Sequence, residues 1–131
     1  MDHYQGNING KSFAIWGLSF KPNTDDLREA SSLTLIQLLW QNGATVKLYD
    51  PQAMPNFKRQ FPDQNGYQLC ETKENALENT DALCIVTEWD AFKSPDYNEL
   101  HEKLNDKIIF DGRNVLNKAI CDQHNLLYVG L

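Results

Sequence analysis

The stretch SFAIWG, from Ser12 to Gly17, is a short apolar run that ends in glycine. This pattern predicts a buried strand, because a strand covered on both faces needs no alternation of polar and apolar residues. A second such run, ALCIV, occupies Ala82 to Val86. Strands buried on both faces are typical of parallel sheets whose helices cover them. These two runs therefore predict the centre of a parallel sheet.

Helical patterns alternate with strand patterns on either side of these runs. Leu33, Ile36 and Leu39 recur at helical spacing, Ser31 or Ser32 can cap the start of that helix, and Gly43 can end it. The other predicted strands are Thr45–Tyr49, Tyr67–Cys70, Lys107–Phe110 and Leu126–Val129, and the other predicted helices are Ala53–Phe61, Lys73–Glu78, Tyr97–Leu104 and Asn117–His124.

This alternation predicts an α/β fold: a Rossmann-like, three-layer open sheet, mostly parallel, with helices on both faces. A length of 131 residues suits one domain. Residues 1–10 are polar and are expected to form a linker or a disordered start, and residues 11–131 the domain.

Composition excludes several classes of function. The net charge of −6, from 12 basic and 18 acidic side chains, argues against nucleic-acid binding. No apolar run is long enough to span a membrane. The three cysteines have neither disulfide nor metal spacing, so we expect reduced thiols, a cytoplasmic location and no metal site.

Polar segments follow four of the predicted strands, at residues 20–28, 49–51, 87–90 and 111–114. The carboxyl ends of parallel strands meet at one edge of a sheet, where ligands of open α/β folds bind. Lys21 and Arg113 are cations that suit a phosphate or carboxylate, and Phe20 and Trp89 offer flat faces for a base or sugar. Gly112 would let the backbone approach a ligand.

Structural roles are the alternative for each of these residues. Lys21 can pair with a neighbouring carboxylate, Arg113 can pair with Asp111, and Trp89 can belong to the core. The residues alone leave both interpretations open, and they do not identify a ligand.

The segment GLSFKPNTDDLREA, from Gly17 to Ala30, resembles the UDP-glucose/GDP-mannose dehydrogenase family, which carries G-L-[AS]-F-K-x-x-T-D-D-x-R-E-[SA] at the start of its C-terminal domain. Three later segments match in order: Tyr49–Pro51, Thr87–Trp89 with Phe92, and Asp111–Asn114. The resemblance covers about residues 11 to 131 and identifies the chain as similar to the family's C-terminal UDP-sugar-binding domain.

The resemblance implies an enzyme that oxidises UDP-glucose to UDP-glucuronate in two steps with NAD, and that works as a homodimer. Neither the NAD fingerprint G-x-G-x-x-G nor the catalytic segment G-F-G-G-x-C occurs in this chain. The NAD-binding N-terminal domain is therefore expected to lie elsewhere, with no catalytic residue in this chain, which should be inactive alone. Cys84, inside an apolar strand, is expected to be structural.

The resemblance also assigns site residues. Phe20 and Lys21 match the Phe-Lys pair that contacts the sugar nucleotide, and Arg113 matches the arginine that contacts the UDP-sugar. Arg28 matches the arginine that reaches NAD across the domain interface. The remaining alternatives are a GDP-mannose or UDP-N-acetylmannosamine dehydrogenase domain, a free-standing sugar-nucleotide-binding module, and a response-regulator receiver, although Thr87-Glu88 supplies no phosphoacceptor aspartate.

Overall fold

A computed structural model describes residues 8–19 and 31–130 of the chain. Six strands form one sheet in the order β3-β2-β1-β4-β5-β6, and every neighbouring pair is parallel. The strands are β1 Ser12–Trp16, β2 Thr45–Tyr49, β3 Tyr67–Leu69, β4 Thr80–Ile85, β5 Leu104–Asp111 and β6 Leu127–Gly130. This arrangement confirms the predicted α/β class, and the sheet is parallel throughout the described part.

Helices cover both faces of the sheet, as predicted. They are α1 Ser31–Gln41, α2 Met54–Gln60, α3 Tyr97–Lys103 and α4 Lys118–Gln123, with short 3-10 turns at Asn75–Leu77 and Asp90–Phe92. Alternate residues of β1 divide the core. Phe13 and Ile15 pack in the layer of α1 and α2, whereas Ala14 and Trp16 pack in the layer of α3 and α4. The sheet is therefore the middle of three layers.

The strand order reverses direction between β1 and β4, which lie side by side at the centre. The chain builds the sheet outward from β1 to β3, returns, and then builds outward from β4 to β6. Ligands of open α/β folds bind in the crevice at such a topological switch point, outside the carboxyl ends of the strands. The fold thus directs attention to the segments that follow β1 and β4.

Gly43 ends α1, as the sequence predicts. Its φ of +84° is left-handed, its N–H donates to the carbonyl of Trp40, and the N–H of Ala44 donates to the carbonyl of Leu39. This pair of bonds is a Schellman motif. At the other end, Ser32 does not act as a cap. It lies inside the helix, buried, and its hydroxyl donates to the carbonyl of Leu18 at 2.6 Å.

Strand β5 differs from its prediction, because it begins at Leu104 rather than at Lys107. Its pairing with β4 shifts register between Thr80 and Ala82, and Lys107 has a left-handed φ of 57°. A left-handed lysine within a strand marks a local irregularity that periodicity cannot reveal. The helix predicted over Tyr97–Leu104 correspondingly stops at Lys103.

The start of the described chain packs onto the domain. Ile8 is 4% exposed within the core of the α1 and α2 layer, and the N–H of Gly10 donates to the carbonyl of Gly43 at 3.0 Å. Residues 1–7 lie outside the described part. A boundary between linker and domain near residue 10 therefore stays a prediction.

Candidate functional site

The ends of β1 and β4 touch at the switch point. Gly17, which follows β1, has a φ of +101°, and a Cβ added to it would lie 2.6 Å from the Cβ of Thr87. The Thr87 hydroxyl donates to the carbonyl of Ser19 at 2.7 Å, and both side chains are buried. The glycine is therefore needed for close approach, and Thr87 fixes the chain as it leaves β1.

A buried carboxylate joins the segments that follow three strands. Asp50, directly after β2, is fully buried. Its Oδ2 accepts hydrogen bonds from the N–H of Leu18 at 2.7 Å and the N–H of Ser19 at 3.1 Å, and from the Trp89 indole at 3.3 Å. Its Oδ1 accepts the two backbone N–H groups just before α2, both at 2.8 Å. Asp50 thus holds the segments after β1, β2 and β4 together.

Trp89 belongs to the core rather than to an open ligand face. Its side chain is 6% exposed and its indole N–H is used by Asp50. Trp16 is likewise internal: its indole N–H donates to the carbonyl of Lys73 at 3.0 Å, and its ring stacks on Phe92 with centroids 5.3 Å apart. Of the two uses that the sequence offers for Trp89, the structural one agrees with this geometry.

A second buried carboxylate organises the segment after β5. Asp111 is fully buried, and its Oδ1 accepts the backbone N–H of Arg113 at 3.0 Å. Its Oδ2 accepts the N–H of Leu116 and the hydroxyl of Tyr128, each at 2.8 Å. Burial and the neighbouring Asp111 raise the pKa of Tyr128 well above its usual value, so that its hydroxyl stays a donor.

Arg113 lies beside the switch point. Its Nε donates to the carbonyl of Val86, at the end of β4, at 3.3 Å. Asp111 binds the backbone of Arg113 and not its guanidinium, so the ion pair that the sequence allows does not form. Within residues 8–19 and 31–130, no carboxylate pairs with this guanidinium. The partly buried side chain therefore places at the carboxyl edge a positive charge that no carboxylate of the described residues neutralises.

Gly112 lets the chain turn tightly against β4. Its N–H donates to the carbonyl of Ile85 at 2.9 Å, and an added Cβ would lie 3.3 Å from the same oxygen. The sequence predicts that this glycine allows close approach to a ligand. In the structure, Gly112 approaches the neighbouring strand β4 closely. This approach fixes the backbone position from which Arg113 follows.

Three of the predicted site residues, Phe20, Lys21 and Arg28, lie outside the described residues. Ser19 is the last described residue before them, and Asp50 and Thr87 hold it at the switch point. The assignments of Phe20 and Lys21 to the sugar nucleotide and of Arg28 to NAD stay predictions.

The cysteines are poor nucleophiles in this fold. Cys70, Cys84 and Cys121 are all buried and free. Burial raises the pKa of Cys84 to about 12 and that of Cys121 to about 11, and it also raises the pKa of Cys70. Since the thiolate is the reactive form, these thiols are chemically quiet near neutral pH.

The described residues contain neither a metal-binding cluster nor a membrane-spanning helix. No group of three or more histidine, cysteine, aspartate or glutamate side chains is arranged to hold a metal ion. No helix there has both the length and the apolar character needed to cross a membrane.

The sequence pointed to these polar segments but missed how they are organised. Asp50 and Asp111 stand at the ends of β2 and β5, where an aspartate can accept N–H groups of the following turn. That position is a readable signal. Sequence could not predict the donors from distant segments, because they depend on the order of the strands. These donors are the Trp89 indole and the Tyr128 hydroxyl.

Comparison with known proteins identifies the family of this chain. The chain belongs to the UDP-glucose/GDP-mannose dehydrogenase family, whose UDP binding domain matches residues 14–118. The UDP-glucose 6-dehydrogenase of Pseudomonas aeruginosa is 36% identical over 131 residues, which cover 98% of this chain and 29% of that protein. Family membership excludes the response-regulator alternative.

Solved structures of related proteins have the same fold. The chain superposes on a UDP-glucose dehydrogenase from the hyperthermophilic archaeon Pyrobaculum islandicum with a TM-score of 0.76 and 28% identity, over 98% of this chain and 27% of that one. The NDP-N-acetyl-D-galactosaminuronic acid dehydrogenase of Methanosarcina mazei has a TM-score of 0.80 at 22% identity, over 98% and 26%, which supports the fold alone. The chain thus spans little more than a quarter of the length of these proteins.

Proposed function

We propose that this chain is the nucleotide-sugar-binding domain of an NAD-dependent UDP-glucose 6-dehydrogenase. It binds UDP-glucose and UDP-glucuronate at the carboxyl edge of the sheet, beside the switch point between β1 and β4. The family membership and the Pseudomonas aeruginosa relative support this assignment. In the whole enzyme, which we propose to be a cytoplasmic homodimer, a separate N-terminal domain supplies most of the NAD site.

The placement of Arg113 carries the proposal. Its Nε is engaged by the Val86 carbonyl, and among the described residues its two terminal NH2 groups have no hydrogen-bond partner, so we propose that they bind the ligand. A guanidinium can grip two oxygens of a phosphate at once. In a chain with a net charge of −6, a diphosphate needs such local cations to overcome general repulsion. Arg113 therefore anchors the diphosphate of the nucleotide sugar.

Phe20 and Lys21 complete the proposed sugar-nucleotide site. They follow Ser19, whose backbone is held by Asp50 and Thr87 at the switch point. The chain therefore enters their segment from a fixed position. Lys21 supplies a second cation near the sugar, Phe20 contacts the sugar nucleotide, and Arg28 reaches NAD across the interface with the N-terminal domain.

This domain does not suit a complete NAD site of its own. The segment after β1 reads GLSFKP, with Gly17 alone where a dinucleotide fingerprint has three glycines. NAD would supply the oxidant, with one NAD molecule consumed in each of the two oxidation steps. The role of this chain is to hold the nucleotide end of the substrate, so that the C6 alcohol lies against a cysteine of the N-terminal domain.

The chain alone is therefore expected to be inactive. Its three cysteines are buried and their pKa values are raised, so none can act as the covalent nucleophile. Pure protein incubated with NAD and UDP-glucose should show no NADH absorbance above a mock preparation. Sustained turnover would contradict this division of roles.

Nuclear magnetic resonance titration tests the proposed ligand. We expect UDP and UDP-glucose to shift the amide signals of residues 17–19, 86–89 and 111–116, at the carboxyl edge. GDP-mannose, added at equal concentration, should bind more weakly. Equal or tighter binding of GDP-mannose would favour the GDP-mannose branch of the family. Shifts confined to the opposite edge of the sheet would contradict the site itself.

A further inference from the structure

We propose that Tyr128 is a positioning residue for Arg113, acting through the carboxylate of Asp111. The inference rests on the proposed function of Arg113 as a ligand of the nucleotide sugar. It adds a residue from the edge strand β6, and Tyr128 itself need not touch the substrate.

The three residues form a continuous chain of hydrogen bonds. The Tyr128 hydroxyl donates to Oδ2 of Asp111 at 2.8 Å, and the backbone N–H of Arg113 donates to Oδ1 of the same carboxylate at 3.0 Å. Tyr128 lies beside Ile109 in the register of β5 and β6, so the sheet itself sets the position of its ring. The edge strand is thereby linked to the backbone of Arg113.

Tyr128 differs from the other hydrogen-bond donors to Asp111 because it comes from a different strand. The other two donors, the N–H groups of Arg113 and Leu116, belong to the segment that the carboxylate holds. Tyr128 comes from a different strand and ties that segment to the sheet. A fully buried carboxylate that loses a donor must turn toward a new donor or admit water. Either response displaces the backbone of Arg113.

The guanidinium depends on that backbone because, within residues 8–19 and 31–130, a single hydrogen bond anchors it. Arg113 donates through Nε to Val86 at 3.3 Å, which is a long hydrogen bond. A small shift of the Arg113 backbone would therefore redirect the terminal NH2 groups. A bidentate contact with phosphate demands a fixed orientation, so its strength should be sensitive to this shift.

Tyr128→Phe tests the inference with little change in shape. We expect the affinity for UDP to fall roughly 3-fold to 10-fold, the loss typical of one hydrogen bond. The backbone amide of Arg113 should exchange faster with solvent and its Nε–H signal should move, both without any ligand. Unchanged Arg113 signals would overturn the proposal even if UDP binding were weak.

Tyr67→Phe is the matched control. The Tyr67 hydroxyl donates to the carbonyl of Phe61 at 2.7 Å, at the opposite edge of the sheet. This variant also loses one partly buried hydroxyl bond, so it should also lower thermal stability. We expect it to leave UDP affinity and the Arg113 signals unchanged. Equal loss of affinity in both variants would mean that Tyr128 acts only through stability.

The same experiment in an Arg113→Ala background separates the two claims. If Tyr128 acts through Arg113, Tyr128→Phe should cause no further loss of UDP affinity once the guanidinium is gone. A further loss of the same size would overturn the positioning role while leaving the proposed function intact. If Arg113→Ala itself left UDP affinity unchanged, the proposed role of Arg113 would fail, and the inference about Tyr128 with it.

Discussion

Gly17 and Thr87 meet at the switch point so closely that no side chain fits between them. A Cβ on Gly17 would lie 2.6 Å from both the Cβ and the Oγ1 of Thr87. The Thr87 hydroxyl then holds the carbonyl of Ser19. The contact between the ends of β1 and β4 therefore fixes the position at which the chain enters the proposed substrate-binding segment.

Because of this contact, we expect Gly17→Ala to destabilise the fold strongly. We expect it to lower the free energy of unfolding by about 2–4 kcal/mol, from the left-handed φ and the overlap with Thr87 together. Gly10→Ala is the control, because Gly10 also has a positive φ but no atom within 4 Å of its added Cβ. It should cost about 1 kcal/mol. If urea denaturation gave equal losses in the free energy of unfolding for both variants, the contact with Thr87 would not account for the effect of Gly17→Ala.

Asp50→Asn tests the buried carboxylate that joins three segments. An asparagine can keep its oxygen toward the start of α2, but its NH2 group then faces the N–H groups of Leu18 and Ser19. We expect a loss of about 2–3 kcal/mol in the free energy of unfolding, because buried donors lose their acceptor. Asp63→Asn, on an exposed residue, should be neutral. A stable Asp50→Asn variant with unmoved Leu18 and Ser19 amide signals would refute this role.

The cysteines give a prediction about pH. The pKa of Cys84 is raised to about 12 in the folded chain, against about 9 when exposed. Above pH 9 the unfolded chain loses this proton while the folded chain keeps it, so stability should be full below pH 9 and fall between pH 9 and 12. Urea unfolding at pH 7.5 and 10 measures the fall, which Cys84→Ala should reduce. A pH-independent difference between the two proteins would contradict the buried-thiol account.

We predict that Arg28 contributes to cofactor binding more than to substrate binding in the proposed whole enzyme. We expect Arg28→Ala to raise the KM for NAD more than the KM for UDP-glucose, because a contact made equally in ground and transition states affects KM. Steady-state kinetics with each substrate varied in turn measures this difference. If NAD affinity were intact and only thermal stability fell, Arg28 would be a structural ion-pair residue instead.

Much of the fold could be predicted because its signals are local. The apolar runs of β1 and β4, the helical spacing of α1 and the glycine at its end each depend on neighbouring residues, and they agree with the structure. The start of β5 was missed because its cause is not local. The register shift belongs to the pairing with β4, and Lys107 has a left-handed φ; sequence periodicity reports neither feature.

The candidate site could be predicted in its location but not in its internal bonding. The sequence suggests Arg113 as a ligand residue. That its guanidinium does not pair with Asp111 follows only from the structure, in which Tyr128 and backbone N–H groups occupy that carboxylate. Trp89 could serve either a ligand or the core, with the core the more common use, and its hydrogen bond to the buried Asp50 agrees with the core. Such choices depend on residues brought together from distant parts of the chain.

Arg113→Ala, measured by UDP titration, tests the central claim most directly. Arg59→Ala is the matched control, because Arg59 is exposed in the last turn of α2 and has no place at the carboxyl edge. The account predicts that Arg113→Ala weakens UDP binding about 10-fold to 100-fold, as expected for a lost charge-assisted contact, while Arg59→Ala leaves it unchanged. Equal UDP affinity in the wild-type chain and both variants would contradict the proposed site.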